Sequence, residues 1–337
     1  MGQTIHQLAF NENHWPMLPG VHEALAGSPG SVNLTGDALA AQLESRLAAE
    51  LGTTPRRVVA GAGSGALLQQ FLAAHCGPGS TVTHAWPSFD LYPLLIRNAG
   101  AEPVAVPGDA QDRQDLEGIV AAVTDRTRVV LVCNPNNPTG EVLGTDQLTA
   151  LLEALPAHVL VLVDEAYREF ATPAEIADAT TLIDHDPRVA VVRTFSKSLG
   201  LRVGYLVGAE EVVGPLRRTA PFHRVPTVAQ AAALAALEAG EHMRKQCGEV
   251  AAERDRVYRG LRELGFDVRP GGGNYLWIRL NERNPEFVAC LAGCGVAVHE
   301  IAEAGVRVST GLPAANDVVL KAARGFAQTA GFAEAAR

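Results

Sequence analysis

The 337-residue sequence is short of cysteine, of long apolar runs and of positive charge. Its five cysteines are too scattered for a disulfide framework. The closest pair, Cys290 and Cys294, has no His or Cys partner at zinc-finger spacing. The expectation is reduced thiols in a cytosolic protein, with no metal site. No apolar run approaches the roughly 18 residues of a membrane span; VVLVC and VLVLV are short and bounded by polar turns. The opening MGQTIHQLAF has neither the basic start nor the long apolar core of a signal peptide. Gly2 follows Met1, but Ile5 and His6 agree poorly with a myristoylation site. Lys and Arg number 28 against 37 Asp and Glu, a net charge of −9. An acidic surface argues against general nucleic-acid binding, yet it leaves room for a local basic pocket that takes an anion.

What is present is an ordinary globular balance, 47% apolar and 19% charged. At roughly 150 residues per domain, the length predicts about two domains. Helical and strand patterns alternate from about residue 37 to 235. Asp37 is placed to N-cap the helix ALAAQLESRLAAEL, in which Leu39, Leu43, Leu47 and Leu51 recur every fourth residue. RVVAG, TVTHA, AEPVAV, RVVLVC, HVLVLVDEA and RVAVVRTFS read as strands, with helices GALLQQFLAAHC, SFDLYPLLIRN and DLEGIVAAV among them. Continuous β-branched runs suit a parallel sheet buried on both faces. Beyond Pro226 a long helical stretch, interrupted near Gly240, leads into GFDVRP, NYLWIRL, a helix from about Pro285 to Cys294, GVAVHE, GVRVSTG and a last helix near 314–329. That order predicts a small α+β domain. No internal repeat or low-complexity linker is found.

Four segments fall at strand ends, where open α/β sheets bind ligands. GAGSG (61–65) offers backbone N–H groups and a helix N-terminus to a phosphate; alone it is also compatible with a dinucleotide fingerprint or a plain tight turn. CNPNNPTG (133–140) is an irregular loop with amide donors at Asn136 and Asn137, or a structured turn. In VDEAYREF (163–170), Asp164 ends a very apolar strand and needs a partner for its charge, unless it merely caps the next turn. In RTFSKSLGLRVGY (193–205), Lys197 follows a strand in a Ser/Gly loop. A partly desolvated lysine has a lowered pKa and can act as an amine nucleophile; a lone surface lysine would not.

Together the four segments resemble the pyridoxal-phosphate aminotransferases of fold type I (class I/II), and NEN, CNPNNPTG, DEAY and RTFSK look most like the histidinol-phosphate aminotransferase branch. The resemblance runs from about Asn11 to Asp317. It implies a large α/β domain with a mostly parallel sheet sandwiched by helices, plus a small α+β domain made by the N-terminal arm and the C-terminal segment. The expected division is 1–34 for the arm, 35–238 for the large domain and 239–337 for the small one. The cofactor implied is pyridoxal 5'-phosphate. Lys197 would form its Schiff base and shuttle a proton, Asp164 would pair with the pyridine nitrogen, and Asn137 and Tyr167 would bond its phenolic oxygen. Phe89 matches the stacking aromatic. Gly63, Ser64, Ser196 and Arg202 match the phosphate cradle, with Gly65 and Thr194 as further members. Arg307 matches the clamp on the substrate carboxylate. The implied reaction moves an amino group from a small-molecule donor to a 2-oxo acid, glutamate and 2-oxoglutarate being the usual second pair. A homodimer with active sites at the interface is also implied.

This sequence departs from the family pattern in places. Three residues are missing between Lys197 and Arg202; Leu34 replaces the tyrosine that reaches the neighbouring subunit's cofactor phosphate; His14 replaces a proline; PFHRV holds an extra residue around His223 and Arg224; and Arg168 extends DEAY. His14, Trp15, Arg168, His223 and Arg224 are therefore candidates for altered substrate recognition, with Asn13 as a further substrate-binding candidate, and the expected substrate is not histidinol phosphate. A decarboxylase on the same scaffold, resembling threonine-phosphate decarboxylase, is the rival reaction. A regulatory module is disfavoured because the chain starts almost at NEN, and an NAD(P) dehydrogenase because it leaves Lys197 unexplained.

Overall fold

The computed structural model describes residues 5–28, 30, 32–301 and 304–330. In chain order its strands are His6–Gln7 (β1), Val58–Gly61 (β2), Thr81–Trp86 (β3), Glu102–Pro107 (β4), Thr127–Cys133 (β5), Leu160–Asp164 (β6), Val189–Thr194 (β7) and Gly204–Gly208 (β8). There follow Asp267–Val268 (β9), Tyr275–Arg279 (β10), Val296–Ala297 (β11), His299–Ile301 (β12) and Gly305–Ser309 (β13).

The β-branched runs form the middle of a seven-stranded sheet in the order β2-β8-β7-β6-β5-β3-β4. The strands β4, β3, β5, β6 and β7 pair in parallel, while β8 is antiparallel to both of its neighbours. Side chains alternate across the pleat. Val130 and Val132 of β5 join one core, under Leu43, Leu47, Leu148 and Ala232 of the covering helices. Val129 and Leu131 join the other, under Leu67, Phe71, Ile96 and Leu216. Each fully buried branched side chain contributes about 1.5–3 kcal/mol by leaving water, so both faces favour one register.

A second, antiparallel sheet of four strands has the order β12-β13-β10-β9. Helices Gly240–Glu263, Asn284–Gly293 and Pro313–Ala330 supply Leu261, Phe287, Leu291 and Val319 to its core. Leu8, far upstream, belongs to that same core. It is held by Leu8 N–H to Ala297 O and by Ser309 N–H to Leu8 O, both 2.8 Å. The expected small α+β unit, made from both ends of the chain, is thus present.

Two local readings change. The helix after Asp37 starts only at Ala41, preceded by Ala40 at φ 53°. Asp37 still accepts from Gln42 N–H at 2.9 Å, but from outside the helix, and Leu39 is exposed. The second change is β8, absent from the sequence-based strands. Gly204 and Gly208 bound it, and its run continues straight out of the Lys197 loop, so its period is too short to stand out.

Candidate active site

The parallel strands end at one edge, where Cys133, Asp164 and Thr194 terminate β5, β6 and β7. A cavity of about 250 Å³ opens there. It brings together Phe89, Asn137, Asp164, Tyr167 and Lys197 with Gly63, Ser64, Gly65, Thr194, Ser196 and Arg202. Despite the shortened loop, Arg202 therefore still faces the cavity.

Asp164 is the buried anion of the site. Oδ2 accepts from the Tyr92 hydroxyl at 3.0 Å, and Oδ1 from Ala166 N–H at 3.2 Å. Burial raises its carboxyl to about 6, against the Tyr92 and Ala166 hydrogen bonds and the positive charge of Lys197. Lys197 moves the other way, to about 8, through burial first and then the Arg307 and Arg202 guanidiniums. An appreciable share of the amine is thus neutral near physiological pH. Lys197 Nζ donates to Phe10 O at 3.0 Å and lies 5.6 Å from the Tyr167 ring centre.

The Tyr167 hydroxyl accepts from Asn11 Nδ2 at 3.0 Å, and its ring packs edge-on to Tyr275. Burial lifts its phenol to about 12, so it stays protonated. Arg307, on β13, reaches across from the small sheet. Its Nη1 donates to Asn137 Oδ1 and its Nη2 to Ala9 O, both 2.6 Å, while the buried Nε has no hydrogen-bond partner. The guanidinium is held in place with its Nε donor unused.

The GAGSG turn has the shape of an anion cradle. Gly63 stands at φ 88° immediately before helix Ser64–His75. Ser64, Gly65 and Ala66 line the cavity at the helix start, where N–H groups have no intrahelical acceptor. A Cβ at Gly204 would come within 2.8 Å of Gly63 C and Ser64 N, so a glycine there lets β8 support the cradle. Ser196 and Thr194 share a 2.9 Å hydrogen bond beside it. A helix N-terminus with Arg202, a neutralisable lysine and a buried carboxylate with few donors are groups that could hold a phosphate, an aldehyde and a positive ring nitrogen, and in that sense they fit pyridoxal phosphate.

The remaining sequence candidates lie outside this cavity's lining. Asn13 donates to Ser198 O and Gln246, and Trp15 packs beside Tyr167 and Tyr275, so both are close behind the site. Arg168 turns away, 3.2 Å from Glu165 and 3.4 Å from Asp178, in a network shared with Arg193. His223 is exposed at φ 56°, and Leu34 is exposed too. Arg224 is structural: it donates to Ala60 O at 2.9 Å and pairs with the buried Glu44 at 2.5 Å. Removing one partner of a buried pair costs about 3–5 kcal/mol. Arg217 remains 2.9 Å from the same carboxylate, so Arg224→Ala is expected at the low end, about 3 kcal/mol by denaturant unfolding. A variant as stable as the parent would remove this assignment.

The sequence pattern overlooked Tyr92 and Asn11. Tyr92 lies three positions past Phe89, the helical spacing that brings both rings to one side at 5.4 Å. Asn11 opens the NEN segment, but its bonds to Tyr167 and Ser309 depend on the tertiary fold. Tyr92→Phe removes a donor to a carboxylate and so raises the Asp164 pKa. If the charged form holds the cofactor, binding weakens as pH falls through that pKa. The midpoint of cofactor affinity against pH, read by fluorescence, is expected at higher pH in the variant.

Residues 4–322 match the family "Aminotransferase class I and II". The chain belongs to that family, and it is an aminotransferase. It is 42% identical to an aromatic amino acid aminotransferase of Streptomyces avermitilis, over 96% of this chain and 91% of the relative. It is 43% identical to a protein of the same name from Thermobifida fusca, over 95% and 90%. Among solved structures, histidinol-phosphate aminotransferase from Sinorhizobium meliloti in complex with pyridoxal-5'-phosphate superposes with a TM-score of 0.90 at 26% identity, covering 97% of this chain and 92% of that one. Aspartate aminotransferase from Thermus thermophilus with maleate gives 0.85 at 25%, covering 97% and 92%.

Proposed function

We propose that this chain is a pyridoxal-phosphate-dependent aminotransferase of aromatic amino acids, with 2-oxoglutarate as acceptor. The observation that carries the reading is identity of 42% and 43% over at least nine-tenths of two aromatic amino acid aminotransferases, joined to a cavity that gathers Lys197, Asp164, Asn137 and Tyr167. When bound, the cofactor supplies an aldehyde and an electron-withdrawing ring that stabilises negative charge at the donor's Cα. The protein's own groups do the rest. Asp164 would hold a positively charged ring nitrogen, and Asn137 and Tyr167 would orient the phenolic edge. Lys197 would carry the proton between the donor's Cα and the cofactor's aldehyde carbon. Arg307 orients the substrate carboxylate through the guanidinium edge that carries Nε.

The division into 1–34, 35–238 and 239–337 is part of the proposal; Leu8 of the arm joins the core of the small unit, while Leu18 and Val21 join that of the large sheet. A homodimer is supported by exposed apolar side chains at Val32, Leu34, Leu39 and Phe222, of which Leu39 and Phe222 are drawn together by the bond from His223 N–H to Ala38 O. All five cysteines are free thiols, in keeping with a reducing compartment. The test is a donor panel with 2-oxoglutarate. Phenylalanine, tyrosine and tryptophan are expected to exceed histidinol phosphate and aspartate in kcat/KM by at least about tenfold, roughly 1.4 kcal/mol of differential binding. Preference for histidinol phosphate would overturn the proposal.

A further inference from the structure

Residues Ala9, Phe10 and Asn11 each touch a group of the candidate site. Ala9 O accepts from Arg307 Nη2 at 2.6 Å, Phe10 O from Lys197 Nζ at 3.0 Å, and the Tyr167 hydroxyl from Asn11 Nδ2 at 3.0 Å. The last bond has a direction that its neighbours fix. Asn11 N–H donates to Ser309 Oγ at 2.8 Å. The buried Ser309 hydroxyl gives its own proton to Asn11 Oδ1 at 2.9 Å. Turned end for end, the Asn11 amide would offer Ser309 Oγ a second donor and leave the serine proton without an acceptor among the described residues. The NH2 end therefore faces Tyr167. A hydroxyl that accepts from Asn11 still has its proton to give. The titratable neighbours of the phenol are Arg307, Cys133, Asp164, Lys197 and Tyr275, and among the described residues none accepts that proton. Asn137 is set in the same sense. Arg307 Nη1 donates to its Oδ1 at 2.6 Å, which leaves the amide NH2 as its remaining donor.

We propose that Asn11 is a positioning residue: its amide occupies the accepting side of the Tyr167 hydroxyl and so aims that hydroxyl's proton into the cavity, at an anionic oxygen of the bound ligand. Tyr167 and Asn137 both line the cavity, each with an acceptor already engaged and a donor left over. A donated hydrogen bond to an oxyanion is charge-assisted and strong, and an accepting group in the same place would repel it. The inference rests on the reading that Tyr167 and Asn137 meet the phenolic edge of the cofactor. Asn11 itself stands at φ 53°, in the left-handed region that asparagine and aspartate tolerate better than most residues. Asn11→Asp therefore keeps the shape and the backbone, but it offers Tyr167 an acceptor and turns the hydroxyl proton away from the cavity.

The test is a spectrophotometric pH titration of the cofactor-loaded enzyme, following the visible band of lysine-bound cofactor. A hydrogen bond donated to the phenolic oxygen stabilises its unprotonated, anionic form, so losing that bond moves the midpoint to higher pH. Tyr167→Phe is expected to raise the midpoint by at least about one unit, a tenfold change in acidity. Asn11→Asp should raise it by a similar amount in the parent, yet add less than about half of that in the Tyr167→Phe background, where there is no hydroxyl to turn. If Asn11→Asp does not fold, Ser309→Ala serves. It frees the Asn11 amide to turn over, and it should raise the midpoint in the parent but not in Tyr167→Phe. An unmoved midpoint in Asn11→Asp would overturn the proposal. So would an equal shift in both backgrounds, which is the mark of added charge alone. No shift in Tyr167→Phe itself would overturn the reading of Tyr167 and, with it, the role of Asn11.

Discussion

Replacing Lys197 by alanine is expected to stop amino transfer, with turnover falling by at least about 10⁴-fold. The sequence holds three lysines, and the other two, Lys245 and Lys321, are exposed on helices Gly240–Glu263 and Pro313–Ala330. Neither lines the cavity. The other ionisable side chains there are poorly suited to the proton transfer. Tyr167 is held protonated with a pKa of about 12, and burial takes the Cys133 thiol to about 12 as well. Lys197 alone combines an amine with a pKa near 8. The variant should also lose the visible absorbance of lysine-bound cofactor while its far-ultraviolet circular dichroism stays that of the parent. Turnover unchanged in Lys197→Ala would refute the assignment.

The second large effect is expected at Asp164. Asp164→Asn keeps the size and leaves an oxygen for the Tyr92 hydroxyl, so the fold should persist. What it removes is the charge that matches a protonated ring nitrogen. Truncating one partner of a buried charge pair costs about 2–5 kcal/mol, which at the transition state is a loss on the order of 10²–10³-fold in turnover. The loss should appear in kcat more than in KM, because the charge on the ring matters most as the Cα proton leaves. An equal fall in cofactor affinity and none in kcat would assign Asp164 a binding role only.

Much of this architecture could be read from residue patterns. The parallel strands announced themselves because valine and leucine fill every position of VVLV and VLVL, as burial on both faces requires. Lys197, Asp164, Asn137 and Tyr167 stood out as strand-end segments, and it was the family resemblance of those segments together that singled them out. Legibility stopped where a role depends on distant chain. Arg224 looked like a pocket residue but closes a buried pair with Glu44, 180 positions away. Arg168 sits beside Tyr167 in sequence yet faces the opposite way, because a tight turn rotates successive side chains apart. Tyr92 carries no motif of its own; only the tertiary fold shows that its hydroxyl reaches Asp164.

The tie between Asn11 and Ser309 bears on when the enzyme becomes competent. Asn11 N–H donates to Ser309 Oγ at 2.8 Å, and that hydroxyl returns a bond to Asn11 Oδ1, across 298 positions. The same Asn11 holds Tyr167. Contacts of such separation form late, since a long loop must close before they contribute. During synthesis, the parallel sheet, its helices and Lys197 can all be out of the ribosome while Tyr167 still lacks its anchor and Arg307 has not emerged. Premature termination between Glu238 and β13 therefore leaves the cradle's own elements in place without the substrate clamp. The Asn11 segment waits for the Ser309 segment, and Tyr167 gains its anchor only when they meet.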